Sequence, residues 1–384
     1  MIIRVPLAWL QLTHHKGRFL VALAGVAFAV ILMFMQLGFQ DALYEDAITI
    51  HKTFNADLIL ISPKSVALFG TIAFPRRRLY DALEVDGIAT ASPFYLGGGQ
   101  WKNPQDQSSR GITLLAFDPD KPIFNLSKIN QNLDAIRPAN VVLFDSLSRL
   151  EYGPIVANFN EEKSVYTEIN GRKIRVVGLF ALGGGVMSAD GLLISSDLNF
   201  LRIGGDSLSK INLGLLTLEP GANLQQVRRE LISNLPEDVK VITKQEFFDF
   251  EQSYWKKSSP IGVIFSIGLM MGVFVGGVIV YQILYTDVTN HLAEYATLKA
   301  IGYKDGYLLI TVLQEALLLA TLGFIPGLFI SIALYDLTRH AARLPMATNL
   351  GRIVFVLGLT VLMCFVSGAI AVQKLRSVDP ADVF

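Results

Sequence analysis

Phe19–Phe39 reads FLVALAGVAFAVILMFMQLGF, 21 residues with no charge and no proline. A helix of that length, at about 1.5 Å per residue, covers the roughly 30 Å of hydrocarbon in a bilayer. The run exceeds the h-region of a cleaved signal, which extends to about 15 residues. Its small-x-small sites, Ala22–Ala24 and Ala27–Ala29, fall in the middle and not at the end. The window therefore predicts an uncleaved anchor helix. Three further windows follow, Ile261–Tyr285, Leu308–Leu334 and Ile353–Val372, and the four together contain one charged residue, Glu315. Only 17% of the 384 residues are charged, against about 25% in soluble domains. The deficit lies in the windows; elsewhere the charge density is ordinary. The predicted fold class is a membrane protein with four transmembrane α-helices and a large α+β extracytoplasmic domain inserted between helices 1 and 2.

Flanking charge sets the expected orientation. Arg4, Lys16 and Arg18 precede the first window, Asp41, Glu45 and Asp46 follow it, and the next Lys or Arg is Lys52. The positive-inside rule places the N-terminus in the cytoplasm, and four crossings return the C-terminus there. Counted over all the flanks the lean is weak, seven inside (Arg4, Lys16, Arg18, Lys299, Lys304, Lys374 and Arg376) against five outside (Lys256, Lys257, Arg339, Arg343 and Arg352), so the first helix decides the orientation. The expected order is an interfacial helix at 1–18 with Trp9 at headgroup level, spans at 19–39, 261–285, 308–334 and 353–372, an outer domain at 40–258 hung on helical stalks, an inner loop at 286–307, an outer loop at 335–352 and a tail at 373–384.

Within 40–258, strands are expected at Ala56–Ser62, Gly111–Phe117, Val141–Phe144, Leu192–Ser195 and Ile211–Leu218. Val165–Ile169 and Lys173–Leu179 flank Asn170-Gly171, a two-residue hairpin signal. Asn223 caps a helix with Leu224, Val227, Leu231 and Leu235 on one face, and Val239–Ile242 returns as the last strand of a β-α-β unit. Residues 244–258 read as the second stalk. Gly97–Gly99 and Gly183–Gly185 read as flexible loops and not phosphate loops, since no Lys-Ser/Thr follows either, and Arg76–Arg78 as a solvated surface run, with contact to an anionic partner or lipid headgroups as the sharper alternative.

Chemistry is sparse. The dipeptide Gly-Lys is absent from the sequence, so no Walker A loop exists; neither does a Gly-x-Ser-x-Gly elbow nor a His-Glu-x-x-His helix. The five histidines fall on both sides of the predicted membrane. Balanced charge, 33 basic against 33 acidic, gives no footprint for nucleic acid. No catalytic residue, metal or cofactor is expected in this chain. The single cysteine, Cys364, lies in the fourth window, which precludes an intrachain disulfide.

The membrane windows carry more. Gly268, Gly272 and Gly276 form overlapping Gly-x-x-x-Gly steps, repeated at Gly323 and Gly327, and predict a helix-packing or dimer face. Pro326 is expected to kink the third helix. Glu315 is expected beside Gln314, in a structural hydrogen bond near the inner boundary, with a proton relay as the sharper alternative. In the inner loop, HLAEYATLKAIGYKDGY, Leu292, Tyr295, Ala296, Leu298, Lys299 and Ile301 suit a short amphipathic helix ending at Gly302. A plain connection needs no such helix, so it reads as a docking element for a partner.

The segment Glu294–Tyr303, EYATLKAIGY, resembles the cytoplasmic signature of the MacB/FtsX-type permeases of ABC systems at Glu294, Leu298, Lys299, Ala300, Ile301 and Gly302. The tail SVDPADVF resembles that family's terminal pattern at Asp379, Pro380 and Ala381, with Asp382 where Glu is commoner. One helix, a large outer domain and then three helices is likewise that family's order. Pro6–Leu43 is most similar to the DevC-type branch found in cyanobacteria. The resemblance implies a homodimeric permease in a bacterial inner membrane. A separate DevA-like ATPase would bind ATP and Mg and receive Glu294–Tyr303. A DevB-like periplasmic adaptor and a TolC-type outer-membrane duct would complete an exporter of lipid or glycolipid, driven by mechanotransmission to the outer domain. The competing expectation is an FtsX-like regulator that transports nothing and activates a cell-wall hydrolase. A ligand-sensing receptor fits less well, since no cytoplasmic output domain is predicted.

Overall fold

The computed structural model describes Trp9, 16–183, 191–204, 207–257, 260–291, Glu294, Thr297, Ile301, 305–342 and 344–375. The chain divides into two compact units. One takes the residues up to Ala42 together with those from Pro260 onward; the other is Leu43–Ser259.

Among the described residues, four helices are long and apolar enough to cross a membrane: Lys16–Ala47, Pro260–Asn290, Asp305–Ala342 and Leu350–Leu375. The protein is a multi-pass membrane protein with an α+β unit inserted between helices 1 and 2. The helices outrun their apolar windows because hydropathy ends a window whereas only a breaker ends a helix. The second continues to Asn290, through Thr286 and Thr289, whose hydroxyls bond back to the carbonyls of Gln282 and Tyr285. Pro326 lies inside the third.

The inserted unit is built on a nine-stranded sheet, ordered β11-β1-β10-β3-β4-β8-β5-β7-β6. Its strands are β1 (Leu58–Ile61), β3 (Ile88–Lys102), β4 (Ser109–Phe117), β5 (Val141–Asp145), β6 (Val165–Ile169), β7 (Arg172–Phe180), β8 (Leu192–Ser196), β10 (Leu213–Leu218) and β11 (Lys240–Thr243). β2 (Phe74–Pro75) and β9 (Lys210–Ile211) pair separately. Every residue of β1, LILI, is buried, because both faces of the sheet are covered. Leu79, Ala82, Ile155, Phe200, Val227 and Leu231, all from helices, pack one face; Ile50, Phe54, Leu68, Phe124, Ile129 and Phe247 pack the other.

The local signals hold. Asn170 and Gly171 both have positive φ, 52° and 73°, the mirror-image turn that a two-residue hairpin needs, and they set Ile169 opposite Arg172. The Asn223 side chain accepts from the backbone N–H groups of Gln225 and Gln226 at 3.0 and 3.2 Å. The β-α-β unit is present but split: β10 and β11 both pair antiparallel with β1, which lies between them.

Two expectations are overturned. Gly97–Gly99 is not a loop; it is the middle of β3, the longest strand, paired with Leu114, Thr113 and Ile112 of β4. The glycines are there because neighbours crowd them. A Cβ on Gly97 would lie 2.7 Å from the Phe200 ring, and one on Gly99 would strike Ile169. Nor is Arg76–Arg78 a solvated run. Arg76 donates to the Tyr95 hydroxyl at 3.1 Å, and Arg78 reaches Asp238 at 2.9 Å and Asp81 at 2.9 Å, leaving Arg77 exposed.

Tyr95 is buried, donates to the Leu208 carbonyl at 3.4 Å, and has its pKa pushed up to about 12 by burial, against the pull of Arg76. A phenol whose folded pKa is raised stabilises the fold below its unfolded pKa of about 10 and loses that contribution as pH rises through the folded value. The full-length protein in detergent is therefore expected to lose thermal stability between about pH 10 and 12, with a shallower loss in Tyr95→Phe. Identical slopes for both would remove Tyr95 as the cause.

Candidate functional site: the seat of the first membrane helix

Gly268, Gly272 and Gly276 recur every fourth residue, so they share one face of the second helix. That face meets the first helix. A Cβ on Gly268 would lie 2.5 Å from Gln36, on Gly272 3.5 Å from Leu32, and on Gly276 2.5 Å from Ala29; further along, one on Gly25 would lie 2.5 Å from Ile279. The contacts descend helix 1 while ascending helix 2, so the two run antiparallel. The third helix behaves likewise but in the opposite sense. Cβ atoms on Gly323 and Gly327 would lie 2.6 and 2.8 Å from Val26 and Val30, so helices 1 and 3 run parallel. Met363 and Ser367 of the fourth helix approach Gly276 and Gly277, and Gly368 approaches Leu284, which makes helices 2 and 4 parallel. The contacts alone thus make the four helices alternate in direction, as successive crossings must. In lipid there is no hydrophobic drive between helices, and dispersion at such close approach takes its place. At Gly268, Gly276, Gly323 and Gly327 an added side chain would make the facing side chain or helix shift, whereas at Gly272 the fit is ordinary contact.

A polar node closes one end of the seat. Arg352, 7% exposed, begins the fourth helix and donates to Asp41 of the first, to the Tyr335 hydroxyl of the third at 3.1 Å and to the Ala347 carbonyl at 2.9 Å. Tyr335 in turn donates to the Phe34 carbonyl, and its ring lies where a side chain on Gly38 would have to go. One guanidinium so joins three helices and the connection between the last two. The sequence signal was an acid and a base at opposite window margins, 311 residues apart, which no local pattern relates.

The other singled-out residues are placed as follows. Glu294 and Ile301 are exposed, Ile301 at 72%, while Leu298, Lys299, Ala300, Gly302 and Tyr303 lie outside the described residues, as do Gly184, Gly185 and the tail motif. Gln314 is exposed but Glu315 is fully buried, since adjacent positions on a helix point about 100° apart. The expected structural hydrogen bond is not formed among the described residues, where neither carboxyl oxygen of Glu315 has a partner. Asp287 of the second helix, of like sign, acts on it electrostatically.

Residues 264–380, which span the second, third and fourth helices, match the FtsX-like permease C-terminal family. The chain is also similar to two solved structures. The periplasmic region of MacB from Actinobacillus actinomycetemcomitans is 14% identical over 52% of this chain and 94% of its own, with a TM-score of 0.36. The extracellular domain of the ABC-type transporter YknZ from Gram-positive bacteria is 12% identical over 49% and 100%, with a TM-score of 0.32.

Arg352→Ala is expected to cost about 2 kcal/mol of stability in detergent, less than the roughly 3–5 of a fully buried pair because Asp41 is half exposed. An unchanged unfolding midpoint would mean that the node carries no load. Glu315→Leu removes a buried carboxyl that has no partner and is expected to raise the midpoint; a lowered midpoint would reveal a partner supplied elsewhere.

Proposed function

We propose that this chain is the membrane-spanning subunit of an ATP-driven exporter, working as a homodimer in a bacterial inner membrane with both termini in the cytoplasm. A separate DevA-like ABC ATPase binds and hydrolyses ATP with Mg and grips Glu294–Tyr303 through Leu298, Ile301 and Tyr303. The ATPase cycle moves helices 1 and 2, the two helices that flank the inserted unit, and that motion drives the outer domain without opening a wide channel. A DevB-like adaptor and a TolC-type duct carry the cargo, a lipid or glycolipid, onward.

The observation that carries this reading is the pairing of an FtsX-like permease C-terminal match over 264–380 with a first helix packed along two glycine faces of that same region. Supporting it, the chain has no nucleotide-binding loop of its own, and the described ends of the inner segment, Glu294 and Ile301, are exposed. Four helices with one internal carboxyl are too few and too apolar to enclose a hydrophilic channel within one chain, which favours mechanical transmission.

The coupling assignment is checked by replacing Leu298 and Ile301 with Asp together and measuring membrane insertion and ATPase co-purification. Insertion is expected to persist while co-purified ATPase falls at least tenfold. Undiminished ATPase would refute the assignment. Capture of a cell-wall hydrolase by the outer domain, in place of an adaptor, would move the reading to the FtsX-like regulator.

A further inference from the structure

The inserted unit begins and ends beside one buried carboxylate. The chain enters it along the first helix and passes through a short helix, Thr49–Thr53; it leaves through the helix Lys244–Lys257. Glu251, 1% exposed, stands on the outgoing helix and accepts three hydrogen bonds. His51 of the incoming leg donates from Nε2 at 3.1 Å, the backbone N–H of Leu68 donates at 2.7 Å, and Trp255 Nε1 donates at 2.9 Å. The His51 ring is fully buried, lies 4.4 Å from the Phe247 ring centroid, and has no partner at Nδ1. A second tie runs beside the first: Lys244 Nζ donates to the carbonyls of Phe54 at 2.5 Å and Lys52 at 3.5 Å.

We propose that Glu251 is a positioning residue that locks the incoming leg, the outgoing leg and the Leu68–Gly70 turn into one rigid foot, so that the two ends of the inserted unit move together. The chemistry of the cluster makes the carboxylate specific. All three partners present N–H groups, and an ionised carboxylate accepts only, with room for all of them. A glutamine of the same shape has one accepting oxygen and an NH2 group. Whichever way that amide turns, a donor faces the N–H of Leu68 or of Trp255, and a buried unmatched donor is costly. Apolar packing of Phe247 against Phe54 and His51 brings the legs together; the carboxylate fixes their register. What the foot transmits rests on the mechanical reading above, but the lock itself does not.

The test is made on the full-length chain in nanodiscs, in a Cys364→Ser background, with spin labels on Lys52→Cys and Asp249→Cys, one on each leg. A control pair sits at Tyr166→Cys and Lys128→Cys, away from the foot. The native chain is expected to give a single narrow leg-to-leg distance. Glu251→Gln is expected to at least double its width while the control pair is unchanged. A leg distribution that superimposes on the native one overturns the proposal. Should Glu251→Gln broaden the control pair as well, Trp255→Phe decides, because it leaves the carboxylate with two donors. Broadening of the leg pair alone then supports the lock, and broadening of both pairs or of neither overturns it. Loss of ATPase binding in these variants would bear on the exporter reading, not on the lock.

Discussion

The place of the first helix in the membrane unit depends on how closely it approaches helices 2 and 3. Five glycines, Gly268, Gly272, Gly276, Gly323 and Gly327, face Gln36, Leu32, Ala29, Val26 and Val30, and at all but Gly272 a Cβ would come closer than 3.0 Å to its neighbour. In hydrocarbon a helix gains nothing by hiding apolar surface, since lipid covers that surface equally well; it gains only by fitting better against protein than lipid does. The glycine faces provide that fit. They also join a helix from the N-terminal end of the chain to the C-terminal region that matches a permease family, although more than two hundred residues separate them. Arg352 then fixes how far the first helix can slide, because its guanidinium holds Asp41 and Tyr335 at once.

The inserted unit answers a different requirement. Its sheet is covered on both faces, so strands such as β1 and β8 are buried along their whole length and carry no alternation of polar and apolar residues. Both the entry to and the exit from the unit lie on the face that Phe54 and Phe247 cover. A chain that enters and leaves through neighbouring elements can transmit a displacement from one to the other through short hydrogen bonds, with no rearrangement of the sheet.

Legibility in the sequence followed the range of the forces involved. The four spans, the Asn170-Gly171 hairpin and the Asn223 cap were readable because each is decided within a few residues. The glycine spacing of helix 2 was readable too, but its occupant was not: nothing within Gly268–Gly276 says that Gln36 to Ala29 will lie upon it. Gly97–Gly99 misled for the same reason. Glycines in a strand look like a loop until Phe200 and Ile169, from elsewhere in the chain, are seen to require them. Arg352 counted as one more loop charge in the orientation tally, whereas in the fold it is a buried tie. Glu315 sits beside Gln314 in the sequence, but helical geometry separates the two and turns the carboxyl inward.

The account turns on the first helix occupying both glycine faces within a single chain. Disulfide trapping in native membranes tests it directly, using Cys364→Ser chains that carry either Ala29→Cys with Gly276→Cys or Val26→Cys with Gly323→Cys. The Cβ positions of these pairs lie 2.5 and 2.6 Å apart, shorter than the roughly 3.5–4.5 Å of a disulfide, so the bond forms once the helices part by about 1 Å. The account predicts that both pairs oxidise readily to an intrachain bond, seen as a reductant-sensitive shift of the monomer band. Bonds that form only between two chains, or no bond at either pair, would contradict it.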